Sequence, residues 1–445
     1  MTHHTLLEVF GIPVTHGLLT TLSVAIFIGT YAMIILERFF HRVPAALFGG
    51  FLAVFIGILS PTDAWHSIDH NTIFLLLGMM IIVSVLIESG FFSILSLKAL
   101  QITKGDPLKI LITFSTLTAF LSAFLDNVTT VLFMIPILIG LTRKLNLKPV
   151  PYVIATVLAS NIGGTATLIG DPPNIIIGSL GHFTFMDFIV NIAPIIVLTH
   201  IVGTIVFVLY MKIRGDLKTQ ITDQKEIEKL ISEQKAEYDV SLMRKGLIVF
   251  GITILLFFLH HVLHLEAGTI ALFMASILLL WTREDPEEIF SRVEWTTLMF
   301  FVGLFIVIGG MEHTGVFEQV AHATSNLLKD SMSGILILGS LSAIISGIVD
   351  NIPFTMAMAN VLIDFGKTVS WDTEPLWWAL ALGACLGGNL TIIGASANVV
   401  AAGLSEREGY PIKFVDFLKM GTPVTIVTVI FALALLYAKY AIFGI

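Results

Sequence analysis

Apolar residues along the chain gather into runs at about 16–37, 43–60, 72–90, 108–141, 151–180, 185–211, 245–264, 267–282, 296–311, 333–365, 375–403 and 414–438. A run near 20 apolar residues is what a helix needs to cross the ~30 Å hydrocarbon core of a bilayer. Basic residues between the runs set an orientation, because cytoplasmic loops collect Lys and Arg. With the N-terminus outside, the inside segments hold Arg38, Arg42, Lys98, Lys104, Lys109, Arg143, Lys144 and Lys148. They also hold the basic residues from Lys212 to Lys245, then Arg283, Arg292, Arg407, Lys413 and Lys419. Only Lys329, Lys367 and Lys439 fall outside. Both termini are then outside, and the runs 108–141 and 333–365 each return to the side they entered from.

The pattern is also duplicated. Leu125-Asp126-Asn127-Val128 recurs as Val349-Asp350-Asn351-Ile352, 224 residues later. Gly163-Gly164-Thr165-Ala166-Thr167-Leu168-Ile169-Gly170 recurs as Gly387-Gly388-Asn389-Leu390-Thr391-Ile392-Ile393-Gly394 at the same offset, and Asn174 recurs as Asn398. Each half holds five crossings and one hairpin-like unit. An odd number of crossings turns the second half upside down relative to the first, the inverted-repeat plan of many secondary transporters. The expected fold is therefore all-α and integral to the membrane, with a first repeat at 12–212 and a second at 244–442. The mixed charges of 213–243 read as an exposed cytoplasmic linker helix with i,i+4 pairing.

Composition agrees with a bilayer location. Of 445 residues, 56% are hydrophobic and 13% charged, against about 25% charged in soluble domains. A lone cysteine, Cys385, excludes an intramolecular disulfide and a cysteine metal cage. The N-terminus has no basic stretch of the kind that opens a cleaved signal peptide. No phosphate-binding loop motif is present, so no ATP site is expected. A net charge of −8 says little about partners, because most charges must sit in loops; no nucleic-acid partner is expected.

Asp126 and Asp350 are the residues that most demand an explanation. Each lies between two apolar arms, and a carboxylate at mid-bilayer costs roughly 2.5–3.5 kcal/mol on insertion scales, so such groups usually face a cavity or pathway. Either each arm crosses fully and the Asp-Asn pair is a surface turn, or each pair is the tip of a re-entrant hairpin. Sixteen helical residues span only about 24 Å, and the matched positions favour hairpins sharing one site. The second constellation is Ser160-Asn161-Ile162-Gly163-Gly164-Thr165-Ala166-Thr167, followed by Gly170-Asp171-Pro172-Pro173-Asn174. Its partner runs from Gly387 through Asn389 and Thr391 to Ser396 and Asn398. Glycine pairs and a Pro-Pro step interrupt helices, and unwound backbone is tolerated in a membrane where it lines a cavity or is buried. Freed carbonyls suit a cation and helix N-termini suit an anion. Asp171 is unmatched, its counterpart being Ala395. With no Lys or Arg inside the runs nearby, the site reads as acidic, suited to Na⁺ or to protons. Glu88 and Glu312 read as helix ends near the outer surface, His260, His261 and His264 as an interfacial cluster, and Trp377 and Trp378 as an interfacial anchor.

Asp126-Asn127-Val128-Thr129-Thr130-Val131, followed by the stretch from Ser160 to Asn174, resembles the arsenite permease, NhaD-type antiporter and P-protein group of the ion-transporter superfamily. The first repeat is most similar to the P-protein branch. The resemblance covers nearly the whole chain. It implies a homodimer with elevator-type movement, scaffold parts at 12–106 and 244–331, and transport parts at 107–212 and 332–442. Residues 108–141 and 333–365 are then the re-entrant hairpins, and 151–180 and 375–403 the broken helices. The implied tips are Asp126, Asn127 and Thr129, then Asp350, Asn351 and Thr355, where the superfamily's dicarboxylate carriers have Ser-Asn-Thr.

The expected activity is secondary active transport, not enzymatic catalysis. The substrate is a small inorganic or organic anion or oxyacid, arsenite-like or a carboxylate, moved through the bilayer by alternating access and coupled to Na⁺ or H⁺. The alternatives are a Na⁺/H⁺ antiporter and an anion channel; a membrane aspartyl protease leaves the duplicated Gly-Gly breaks unexplained. Candidate ligands are Asp126, Asn127, Thr129, Thr130, Ser160, Asn161, Thr165, Thr167, Asp171, Asn174, Asp350, Asn351, Thr355, Asn389, Thr391, Ser396 and Asn398. Na⁺ is expected near Asp126, Asn127, Asp350 and Asn351, and no other cofactor is expected.

Overall fold

The computed structural model describes residues 15–36, 41–215, 217, 238–324 and 328–443, and all regular structure among them is helical. The first half runs α1 (His16–Ile35), α2 (Arg42–Ile56), α3 (Pro61–Ser67), α4 (His70–Glu88), α5 (Phe91–Thr103), α6 (Pro107–Ser122), α7 (Asn127–Lys144), α8 (Pro149–Gly164), α9 (Pro172–Leu180), α10 (Phe185–Asn191) and α11 (Ala193–Arg214). The second runs α12 (Val240–Leu263), α13 (Ala267–Thr282), α14 (Pro286–Ser291), α15 (Trp295–His313), α16 (Val316–Thr324), α17 (Ser331–Ser346), α18 (Asn351–Thr368), α19 (Glu374–Gly387), α20 (Ser396–Arg407) and α21 (Phe414–Phe443). Two 3₁₀ turns, Gly388–Leu390 and Ile392–Gly394, separate α19 from α20. Most of the linker expected at 213–243 lies outside the described residues.

The element order repeats, and so do its local causes. Asp106 caps α6 by accepting from Lys109 N at 2.8 Å, and Asp330 caps α17 by accepting from Ser333 N at 2.8 Å. A carboxylate there satisfies amides that lack an intrahelical partner and meets the positive end of the helix dipole. Close helix approach repeats as well. A Cβ on Gly163 of α8 would stand 2.0 Å from the Ala119 carbonyl oxygen of α6, and one on Gly387 of α19 would stand 2.4 Å from that of Ala343 of α17. Only hydrogen fits at those crossings, so the Gly-Gly positions hold the hairpin arms against the breaks.

Among the described residues, seven helices are long and apolar enough to cross a bilayer, or eight if α9 and α10, bent by 113°, make one span. The ten crossings expected from the runs are not ten long helices. With 15 and 16 residues, α2 and α13 cover only about 22–24 Å. They pack against α15 and α4, respectively. At 18 residues α7 is among the seven. Trp377 and Trp378, expected at the interface, are buried, and Trp378 packs against Phe183 and Phe188. Its ring nitrogen donates to Glu374 Oε1 at 3.0 Å, which lets a buried indole keep its hydrogen bond.

Candidate functional site

Asp126 and Asp350 are the N-caps of α7 and α18. Asp126 Oδ1 accepts from Thr129 N at 2.9 Å and its other oxygen from the Thr129 hydroxyl. Asp350 Oδ1 accepts from Ile352 N at 3.0 Å. The caps turn the following asparagines inward, and Asn127 and Asn351 are both 2% exposed. The breaks meet them there. In the first, α8 stops at Gly163-Gly164 and the chain stays non-helical until Pro172 starts α9, proline being suited to a first turn that needs no amide donor.

Each break is pinned by its own asparagine. Asn174 Nδ2 donates to the carbonyls of Thr165 (2.9 Å) and Thr167 (2.8 Å). Asn398 Nδ2 donates to those of Gly388 (2.8 Å) and Thr391 (2.9 Å). The hydroxyls of Thr167 and Thr391 reach across to the carbonyls of Ala123 and Gly347, just before each tip. Asn174 and Asn398 thus satisfy freed carbonyls that the bilayer cannot, and the two halves do so with matching residues.

A chain of amides then joins the halves. Asn389 Nδ2 donates to the Leu158 carbonyl at 3.2 Å. With Asn389 and Asn398 both committed as donors to backbone, their Oδ1 atoms are left to accept, and both accept from Asn161 Nδ2 at 2.8 Å. Asn161 Oδ1 must then accept, and it does so from Asn127 Nδ2 at 3.0 Å. Asn127 Nδ2 also donates to Asp171 Oδ1 at 3.1 Å. The backbone carbonyls therefore dictate which face of Asn127 meets the carboxylate. Ser160 Oγ closes the cluster on the Asn127 carbonyl at 3.2 Å.

Among the described residues, Asn127 Oδ1, Asp171 Oδ2, Asn351 Nδ2 and Thr355 Oγ1 are buried without a well-formed hydrogen bond, although Asn351 and Cys385 stand close enough to Asp171 to interact with its carboxylate. Asp171 is fully buried, and among the described residues no basic side chain pairs with it. Such groups are costly to bury unsatisfied. Thr130 and Thr165 instead spend their hydroxyls on carbonyls one turn back, Asp126 at 2.9 Å and Asn161 at 2.7 Å.

The acidic reading of the site needs one correction. Arg42, counted above as a loop cation, places Nη1 2.5 Å from Ser396 Oγ and 3.6 Å from Asp350 Oδ2. It was legible only as the first basic residue before an apolar run; nothing in its spacing tied it to a residue 308 positions later. Glu88 is also corrected: it pairs with Arg292, which the charge tally puts inside, so it lies at the opposite end from Glu312.

Two cavities lie toward opposite ends of α4. One, of about 690 Å³, is lined by His66, Asp69, His70, His182, His260, His264, Glu266 and Glu312. The other, of about 250 Å³, is lined by Met80, Ser84, Thr129, Arg292 and Glu294 among others, and so touches the first tip. His260 Nε2 accepts from Phe185 N at 3.3 Å. Among the described residues no group of three His, Cys, Asp or Glu is placed to hold a metal.

Long apolar helices, broken elements and a polar cluster sealed within them define a multi-pass integral membrane transporter. The profile of the citrate transporter family matches residues 31–383, and the chain belongs to that family. An uncharacterized transporter of Mycobacterium tuberculosis is 37% identical over 436 residues, covering 96% of this chain and all of that one. The human P protein is 34% identical over 510 residues, covering 95% of this chain and 60% of its own length. That agrees with the resemblance read from the motifs. A solved YdaH transporter of Alcanivorax borkumensis shares the fold, with a TM-score of 0.58 at 14% identity, covering 86% of this chain and 88% of that one.

Proposed function

We propose that this chain is a secondary active transporter that moves a small anion or oxyacid, arsenite-like or a carboxylate, by alternating access coupled to H⁺ or Na⁺. The observation that carries this reading is the convergence of one hairpin tip and both breaks on the amide cluster around Asn161, with unpartnered oxygens left beside Asp171. Na⁺ is held by oxygen donors, and Asn127 Oδ1, Asp171 Oδ2 and Thr355 Oγ1 are buried oxygens in want of a partner, so the donor set fits that ion. The helix N-termini at Asn351 and Ser396 suit an anion. Cavities toward opposite ends of α4 support access from either face in turn. The duplicated element order supports two inverted repeats, each with a re-entrant hairpin. On this reading the transport parts (107–212 and 332–442) move as an elevator against the scaffold parts (12–106 and 244–331) of a homodimer, with both termini outside.

A Na⁺/H⁺ antiporter is the second reading, favoured by Asp126 and Asp171 having no basic partner among the described residues. Proton flux in proteoliposomes, read by an internal pH dye under Na⁺, Li⁺, arsenite, chloride and citrate gradients, separates the two. We expect a response that requires one anion or oxyacid. A response to Na⁺ or Li⁺ alone would make the protein an antiporter. Unsaturable flux with no second ion would make it a channel.

A further inference from the structure

The two hairpin tips are not equivalent in charge. Arg42 is the first residue of α2, on neither hairpin and neither break. Its guanidinium lies 5.6 Å from the centre of the Phe300 ring on α15, so an aromatic face fixes the plane of the group. Ser396 Oγ, which accepts from Arg42, itself donates to Asp350 Oδ2 at 3.1 Å. Arginine, serine and aspartate thus form a closed triangle, with Arg42 21% and Asp350 12% exposed. Tyr31 of α1 adds a second tie, its hydroxyl donating to the Pro353 carbonyl at 2.6 Å. The second tip is held from outside at two points.

The first tip has nothing of the kind. Among the described residues the Asp126 carboxylate accepts from Thr129 of its own helix, and no basic side chain pairs with it. The positions 224 and 225 residues after Arg42 are Glu266 and Ala267, so the second half supplies no matching cation. Thr129 opens instead onto the 250 Å³ cavity, which Glu294 also lines.

We propose that Arg42 is a positioning residue, the resident counter-ion of Asp350. Asp350 is then half of a charge pair that anchors the second tip to the α1–α2 face, and of the two tip carboxylates Asp126 is the one left free, with the unpaired Asp171 of the first break, to take the coupling cation or proton. This rests on the transport reading and assigns unequal work to two residues that the sequence makes look alike. The groups that bear on the pair are Tyr31, Ser396, Phe300, Glu294 and the buried carboxylate of Asp171; Asp171 and Glu294 also face the Asp126 side.

A double-mutant cycle tests it by two measurements. In thermal unfolding of the detergent-solubilised protein, Arg42→Gln and Asp350→Asn each lower the midpoint, because each leaves a half-buried charge alone. The double variant recovers most of the loss. Arg42→Lys keeps the charge but loses the planar stack, and falls between. In proteoliposomes under the Na⁺ and citrate gradients, each single variant loses about tenfold or more in proton flux, and the double variant returns to within about threefold of wild type. Its pH–rate profile keeps the wild-type midpoint, since Asp126 still carries the titration. Asp126→Asn stays inactive with or without Arg42→Gln. Thermal effects that simply add would overturn the pairing. A double variant no faster than either single would overturn the assignment, making Asp350 itself the ion ligand. Wild-type vesicles silent under every gradient would count against the transport reading alone, and the thermal cycle would still decide the pair.

Discussion

Asn161 ties the two halves of the site together, and its removal can be worked through atom by atom. In Asn161→Ala the Oδ1 atoms of Asn389 and Asn398 lose the one donor that reaches them among the described residues, while Asn127 Nδ2 keeps its bond to Asp171. Two orphaned buried acceptors at about 1–3 kcal/mol each give a loss of about 2–6 kcal/mol. The sharper variant is Asn161→Asp, which has nearly the same shape. It keeps an acceptor for Asn127 but turns a second oxygen toward two amide oxygens. If the amides are oriented as the Leu158, Gly388 and Thr391 carbonyls require, the aspartate is at least as damaging as the alanine. Thermal unfolding followed by tryptophan fluorescence in detergent measures both. An aspartate variant that melts like wild type would refute the orientation, and with it the claim that Asn127 donates to Asp171.

Two further outcomes follow from the packing and from the cavities. Gly163→Ala and Gly387→Ala each push a methyl into a backbone carbonyl and should cost about 1–3 kcal/mol or more, seen as a lower midpoint in the same assay; Gly140→Ala, where a Cβ meets nothing within 4 Å, is the neutral control. In a Cys385→Ala background, a membrane-impermeant thiol reagent should label Ser84→Cys only from the cytoplasmic side and His182→Cys only from the outer side. Labelling of both from one side would show that the two cavities do not open to opposite faces.

Much of the arrangement was legible because it is local. The turns at Asp126 and Asp350, the Gly-Gly breaks and the 224-residue offset are short patterns, and each falls where one helix ends and another begins, although the capping role of the two aspartates was not read. Asn161 and Asn389 could be named as candidates because they sit in the duplicated motif. Their roles could not, since the direction of each amide is set by carbonyls distant in sequence. Arg42 was missed for a related reason: charge counting sorts a basic residue by the loop it borders, whereas a long side chain at a helix start can reach back to a distant tip. Trp377 and Trp378 were misplaced because a Trp pair at the head of an apolar run fits an interfacial belt and a packed core equally well. The short α2 and α13 show that hydrophobicity gives a run's length but not where its helix stops.

The duplicated halves also differ at the centre, and the difference predicts which contact matters less. Residue 385 occupies, in the second half, the position Asn161 holds in the first, and it reaches the opposite break in the same way. Asn161 Nδ2 donates to Asn398 Oδ1 at 2.8 Å, while Cys385 Sγ stands 3.5 Å from Asn174 Oδ1, the matching atom. At the matching place the chain carries a smaller side chain, the Cys385 thiol, in place of an amide. A thiol is a weak donor, so the link through Cys385 holds its break less firmly than the amide link holds the other, and Asp171 belongs to the less firmly held break. Cys385→Ala removes one sulfur and a weak hydrogen bond, for a loss of about 1 kcal/mol, well below that of Asn161→Ala. Equal losses for the two variants would show that the thiol does the work of the amide, and that the two breaks are held alike.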